Sequence, residues 1–86
     1  MKKILVTGGL GFIGSHTVVE LQQAGYEVVI IDNLYNSKIE VLDRIISITG
    51  IKPSYFNIDL RNKTAVKDFF NTNKVDGIIH FAASKA

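Results

Sequence analysis

Apolar residues along this chain fall in short blocks separated by glycine and polar turns, and the blocks alternate between two periods. Lys3 to Thr7 (KILVT) is a brief run rich in β-branched side chains, closed by glycine, and it predicts a strand buried on both faces. From Phe12 to Ala24 the period lengthens to that of a helix, with Ile13, Val18, Leu21 and Ala24 on the expected inward stripe and Gly25 placed to stop it. EVVII, Glu27 to Ile31, is a second buried strand. NSKIEVLDRIISITG comes next, where Ser37 and Glu40 stand at capping-box spacing before the apolar positions Val41, Leu42, Ile45, Ile46 and Ile48, and Gly50 supplies a stop. Pro53 opens a third strand over about Ser54 to Ile58. Asn62 is a candidate cap for a third helix with Val66, Phe69 and Phe70 inward. VDGIIHFAA supplies a fourth strand, in which Gly77 marks a weak point or a close backbone approach.

The order β-α-β-α-β-α-β with short connections predicts an α/β fold with a parallel sheet. Right-handed crossovers give the strand order 3-2-1-4, with the first two helices on one face and the third on the other. That is a partial Rossmann, or doubly wound, arrangement, and ligands of such sheets collect at the carboxyl ends of the strands, at the switch point between strands one and four.

One stretch lies at that point. VTGGLGFIGSHT places Gly8, Gly9, Gly11 and Gly14 within seven positions, between the first strand and the first helix. Glycine in such number costs backbone entropy unless the backbone itself has work to do. In a dinucleotide site Gly8 would turn the chain out of the strand, Gly11 would let the backbone approach a diphosphate, and Gly14 would let the helix pack closely. The helix N-terminus would then offer unpaired N–H groups and a partial positive charge to the phosphates. Gly9-Gly11-Gly14 also fits a glycine triplet, and Thr7 before the glycines favours the Gly8-Gly11-Gly14 register. Asp32 ends the second strand, eighteen residues after Gly14, where a carboxylate accepts ribose hydroxyls and repels a 2′-phosphate. NAD is therefore expected over NADP.

Composition narrows the field further. Eighty-six residues with 47% hydrophobic side chains make a small globular unit, and ten basic against eight acidic residues give a formal charge of +2 with no basic run beyond Lys2-Lys3. Neither a nucleic-acid stripe nor a polybasic membrane patch is expected. No cysteine is present, which excludes a disulfide framework and a thiolate metal site. The apolar run Ile4 to Val6 is too short for a signal-peptide core, and no run approaches the roughly 20 residues of a membrane span, so a cytoplasmic location is expected. His16 reads as a surface or packing residue and His80 as a hydrogen-bonded structural one, and neither has neighbours at metal-ligand spacing.

TGGLGFIGSHT, DNLYNS, Asp59-Leu60 and HFAASKA together resemble the extended short-chain dehydrogenase/reductase family over the entire chain, and within it the members that epimerise UDP-hexoses at C4. The glycine motif and HFAA are shared family-wide, whereas DNLYNS and the lysine of ASKA are narrower. The resemblance implies NAD held through the backbone at Phe12 and Ile13. It implies an adenosine half gripped by Asp32, Asn33, Leu34, Tyr35, Asn36 and Ser37, an adenine edge met by Asp59 and Leu60, and a cofactor lined by Phe81, Ala82, Ala83, Ser84 and Lys85. Ala83 stands where the commonest family pattern has glycine, and Ser84 where it has a larger apolar residue.

The implied chemistry is hydride removal from C4, a 4-keto intermediate and hydride return to the opposite face, with a Tyr-x-x-x-Lys pair moving the proton. Tyr26, Tyr35 and Tyr55 are followed four positions on by Ile30, Ile39 and Asp59, so no catalytic residue is expected here. The chain is expected to be the N-terminal part of an NAD-binding domain whose substrate-binding part is absent, inactive alone and weak in NAD affinity. Self-association through the edge of the fourth strand is expected too, while the parent would be a homodimer acting on a UDP-hexose. A sugar-nucleotide 4,6-dehydratase, another extended family member or a catalytically silent NAD-binding protein remain as alternatives.

Overall fold

The computed structural model describes residues 1–35 and 37–81. Seven elements follow one another: β1 (Lys3–Thr7), α1 (Phe12–Gln23), β2 (Glu27–Ile31), α2 (Glu40–Thr49), β3 (Ser54–Phe56), α3 (Lys63–Thr72) and β4 (Gly77–His80). They build one parallel sheet in the order β3-β2-β1-β4. The expected fold class and strand order are therefore observed.

The alternation of side chains along β1 and β2 splits the core in two. Val6, Val28 and Ile30 face one side, where they pack with Leu10, Val18 of α1 and Ile45 of α2. Leu5, Val29 and Ile31 face the other, under Phe69 of α3. The two-and-one division of helices predicted from handedness thus holds. Each fully buried aliphatic side chain contributes on the order of 1.5–3 kcal/mol, which is why the continuous apolar runs of β1 and β2 fix the centre of the sheet.

Helix ends follow local chemistry. Gly50 has φ +73° and closes α2, a left-handed position that costs a residue with a Cβ about 1–2 kcal/mol. The Asn62 side chain accepts from Ala65 N–H at 3.1 Å and caps α3, as expected.

Other details differ from the sequence expectations. The stripe assigned to α1 holds at Val18 and Leu21 but fails at its two ends, at Ile13 in the first turn, 64% exposed, and at Ala24, the C-cap past the last turn. Ile48 and Phe70 are also exposed, each at the margin of a helix whose central residue (Ile45 or Phe69) takes the buried place. The third strand stops at Phe56 rather than Ile58, and Ile58 still packs beneath the α3 side. The fourth begins at Gly77, not Val75. Just ahead of it Asp76 pairs with Lys3 through its carboxylate, which accepts from the Lys3 N–H at 2.8 Å, and through its own N–H, which donates to the Lys3 carbonyl at 2.7 Å. At Gly77 a Cβ would meet the end of the Ile4 side chain at 3.2 Å, a side-chain contact in place of the close backbone approach expected there. The Ser37/Glu40 capping box does not form: α2 starts from Ile39 with no side-chain cap. Ser37 Oγ donates instead to Asp32 Oδ1 at 2.7 Å, a charged acceptor that outbids a helix amide. Among the described residues no helix is long and apolar enough to cross a membrane.

Candidate functional site

The carboxyl ends of β1, β2 and β4 meet where the glycine stretch leaves the sheet. Gly8 turns the chain at φ +70°, with its N–H on the Ile31 carbonyl at 2.8 Å. This resolves the register, because Gly9 does different work: a Cβ there would lie 2.8 Å from Ile30 Cγ2, so Gly9 is a packing glycine on β2. At Gly14 a Cβ would fall 2.1 Å from the Gly8 carbonyl oxygen, and only glycine lets α1 sit against its own entry loop.

Gly11 is the informative position. It is the N-cap of α1 at φ −73°, ψ 174°, a conformation open to any residue and favoured by Ser, Asp and Asn. Within the protein its Cβ would touch only the Gly8 oxygen, at 3.3 Å. The dihedral angles do not demand glycine there, and a Cβ would crowd the Gly8 oxygen by only a few tenths of an ångström, far less than at Gly14. What a side chain would do is fill the space above the amides of Phe12, Ile13 and Gly14, for which no acceptor exists among the described residues. A cradle of free N–H groups at a positive helix end, kept open by a missing side chain, fits the diphosphate of a dinucleotide.

Asp32 lies beside this cradle. Its side chain accepts from Leu10 N–H at 3.1 Å through Oδ2, one residue before Gly11, so glycine loop and carboxylate share one crevice. Leu34 N–H (2.8 Å) and Ser37 Oγ (2.7 Å) converge on Oδ1. The residue is 7% exposed. A carboxylate has about four acceptor positions, of which three are used, and the Ser37 hydroxyl can rotate away, so a ribose hydroxyl can be received. Leu34 stands at φ +63°, a left-handed leucine held by its bond to Asp32. From β3, Tyr55 Oη donates to the Asp32 carbonyl at 2.9 Å. Burial, and then the Asp32 charge, push the Tyr55 phenol above its usual range and keep it a donor.

Asn33 and Tyr35 are exposed beside Asp32, with Tyr35 N–H on Asn33 Oδ1 at 3.0 Å. Asp59 and Leu60 lie in the turn after β3. There Arg61 binds Asp59 through Nε and Nη2, the latter at 2.8 Å, and holds the Asp59 carboxyl down to about 2. Phe12 is 83% exposed, stacked edge-on with His16, whose Nδ1–H donates to the Phe12 carbonyl at 2.7 Å. His16 is thus a local surface residue, as expected. His80 ends β4 with Nδ1 on the Thr7 hydroxyl, the structural bonding expected of it. Phe81 comes next, exposed, with its N–H on the Thr7 carbonyl at 2.9 Å. Asn36, Ala82, Ala83, Ser84 and Lys85 lie outside the described residues.

The structure therefore brings Gly8, Gly11, Phe12, Ile13, Gly14, Asp32, Leu34 and Ser37 around one crevice. Sequence reasoning missed the Leu10 amide, the Tyr55 hydroxyl and the buried Thr7. Of these only Thr7, a polar residue ending an apolar strand, carried a visible signal. A groove of about 430 Å³ opens from the same loop, with Leu10, Gly11, Phe12 and Ser37 at its mouth, and runs between α1 and α2 down to Ile48. Among the described residues no group of three or more His, Cys, Asp or Glu is placed to hold a metal ion.

Comparison with known proteins agrees with this geometry. Residues 4–86 match the NAD dependent epimerase/dehydratase family. The chain is 52% identical over 86 residues to a UDP-glucose 4-epimerase of Neisseria meningitidis serogroup B, covering 100% of itself and 25% of that protein. It is 51% identical over 83 residues to that of Bacillus subtilis, covering 96% of itself and 24% of the relative. The UDP-glucose 4-epimerase of Stenotrophomonas maltophila, crystallised with NAD and formylated UDP-arabinopyranose, superposes with a TM-score of 0.91 at 44% identity, over 100% of this chain and 26% of that one. That of Bifidobacterium longum, in complex with NAD+ and UDP, gives 0.92 at 41%, over 99% and 25%. The chain thus spans about a quarter of the length of the curated relatives it matches.

Proposed function

The chain belongs to the NAD dependent epimerase/dehydratase family, and from that membership we propose that it is the N-terminal, NAD-holding segment of a UDP-glucose 4-epimerase. The observation that carries this is the open cap at Gly11 above three free amides, with Asp32 tied to the neighbouring Leu10 N–H.

Each group then has a task. The N–H groups of Phe12, Ile13 and Gly14 hold the diphosphate; Asp32 receives the adenosine ribose, with Asn33, Leu34, Tyr35, Asn36 and Ser37 around it. Asp59 and Leu60 meet the adenine edge, and Phe81, Ala82, Ala83, Ser84 and Lys85 line the nicotinamide side. Asp32, buried and negative, would face a 2′-phosphate without a counter-charge, which favours NAD over NADP. When bound, NAD supplies a hydride acceptor that is regenerated when the hydride returns to the sugar. No residue of this chain is assigned the proton transfer, because none of its tyrosines has a lysine four positions on. That pair and the UDP-hexose site belong, on this reading, to the three quarters of the relatives that the chain does not span. The reading carries a cytoplasmic location and a homodimeric parent with it. It also includes self-association of the isolated chain, supported by Ile78, 56% exposed on the edge strand β4.

Extended to the length of its relatives, the protein is expected to interconvert UDP-galactose and UDP-glucose without added oxidant or reductant. Formation of a 4-keto-6-deoxy sugar would instead identify a dehydratase, and NAD binding without turnover a silent binder.

A further inference from the structure

The main chain of Asp32 is held from β3 at both of its peptide units, and the NAD-holding reading gives one of those bonds no task. On the near side the Asp32 N–H donates to the Phe56 carbonyl at 3.2 Å. On the far side the Asp32 carbonyl accepts from Tyr55 Oη at 2.9 Å, and among the described residues no other donor reaches it. Asp32 is 7% exposed, so without that hydroxyl its carbonyl would be left short of a partner.

A peptide unit is planar, so each bond fixes a plane. The first sets the plane before the Asp32 Cα and the second the plane after it. Together they fix φ and ψ of Asp32, and hence the direction in which its Cβ leaves the chain. The ladder alone does not do this: the last β2–β3 register pair is Ile31 with Phe56, one residue short of Asp32. Nor is the stretch that follows at rest, since Leu34 stands at φ +63°, unfavourable for any residue with a Cβ. Tyr55 is itself well anchored. Its register partner is Ile30, and it packs on the α1 and α2 side of the sheet against the cluster that holds Leu10, Val28, Ile30 and Ile45. A tyrosine rooted in the core thus reaches past the end of the ladder to a carbonyl that the sheet leaves over.

We propose that Tyr55 is a positioning residue for the adenosine ribose, its hydroxyl locking the peptide after Asp32 so that the buried carboxylate is aimed before a ligand arrives. The inference rests on the reading of Asp32 as the ribose acceptor. It gives Tyr55 no contact with the dinucleotide.

Tyr55→Phe removes one oxygen and keeps the ring in the core, and two ligands of this chain read the consequence. ADP offers its ribose hydroxyls to Asp32, whereas 2′,3′-dideoxy-ADP keeps the diphosphate and the adenine and offers none. The wild type should prefer ADP. Tyr55→Phe should weaken ADP about three- to tenfold, the contribution of one hydrogen bond, and hold dideoxy-ADP as before. Without any ligand, the Asp32 carbonyl 13C resonance should move upfield in the variant as its donor is lost. A preference for ADP that Tyr55→Phe leaves unchanged overturns the inference, whether the melting temperature falls or both ligands weaken together, and marks a purely structural bond. So does an Asp32 carbonyl resonance that stays in place. A wild type that binds both ligands equally contradicts the ribose reading of Asp32, and one that binds neither contradicts the cofactor reading; either result takes this inference with it.

Discussion

At the scale of single residues, the glycines of one short stretch divide their labour, and only one of them answers to something outside the protein. Gly8 serves a left-handed turn, Gly9 the packing on Ile30 and Gly14 the packing on the Gly8 carbonyl. Gly11 serves none of these, which separates stability from binding at that position. Gly11→Asp should leave thermal stability within about 1 kcal/mol, the better cap offset by the tight contact with the Gly8 oxygen, while lowering NAD affinity at least about tenfold by placing a carboxylate against the diphosphate. Calorimetric titration and a thermal melt of the same variant read the two effects, and a variant that keeps NAD affinity would show that the cradle is not used. Asp59 offers a second test. Side-chain and main-chain hydrogen bonds from Arg61 hold its pKa at about 2, below the ordinary 3.8. A depressed carboxylate adds stability above its ordinary pKa and loses it as pH falls through the depressed one, so the pair is whole above pH 4 and breaks between about 4 and 2. A carboxyl NMR titration should find the low midpoint, and Arg61→Ala should raise it toward the ordinary range without reaching it, because the main-chain N–H of residue 61 still donates to Asp59 Oδ1.

Individual elements show which features of the chain can be read locally. Strands β1 and β2 are continuous apolar runs buried on both faces, and nothing distant competes with that pattern. The cap of α3 is equally local, one asparagine reaching an amide three residues on, and Asn62→Ala should cost about 1 kcal/mol in a denaturant melt. The Ser37/Glu40 box was legible and did not form, because Ser37 has a better acceptor in Asp32, which only the tertiary fold brings near. Gln22 makes the same point from the opposite direction. It is buried near the end of α1, where its position gives no hint of a partner. Its Nε2 donates to the Ile51 carbonyl at 3.1 Å, and its Oε1 accepts from Thr49 Oγ1 at 2.7 Å. Sequence patterns report which face a residue prefers. They do not report which distant polar atom waits there.

Across the whole molecule, one asymmetry connects fold and site. The sheet is covered by two helices on one side and one on the other, and its edge strand β4 carries exposed Ile78. An uncovered parallel edge favours association, so sedimentation should show concentration-dependent oligomers that Ile78→Lys reduces, and a strictly monomeric wild type would count against an active edge. The candidate site was legible because strand-end chemistry and glycine spacing are local, whereas the bonds that hold it, from Leu10 and Tyr55 to Asp32 and from Thr7 to His80, join separate strands and loops. The central claim is that the open end of α1 and the Asp32 carboxylate form one dinucleotide site. It is tested most directly by an amide-resolved NMR titration of this chain with NAD. The account predicts saturable shifts concentrated at the Phe12, Ile13, Gly14 and Leu34 amides, and far smaller ones with NADP. Shifts confined to the groove between α1 and α2 near Ile48, or none at millimolar NAD, would contradict it.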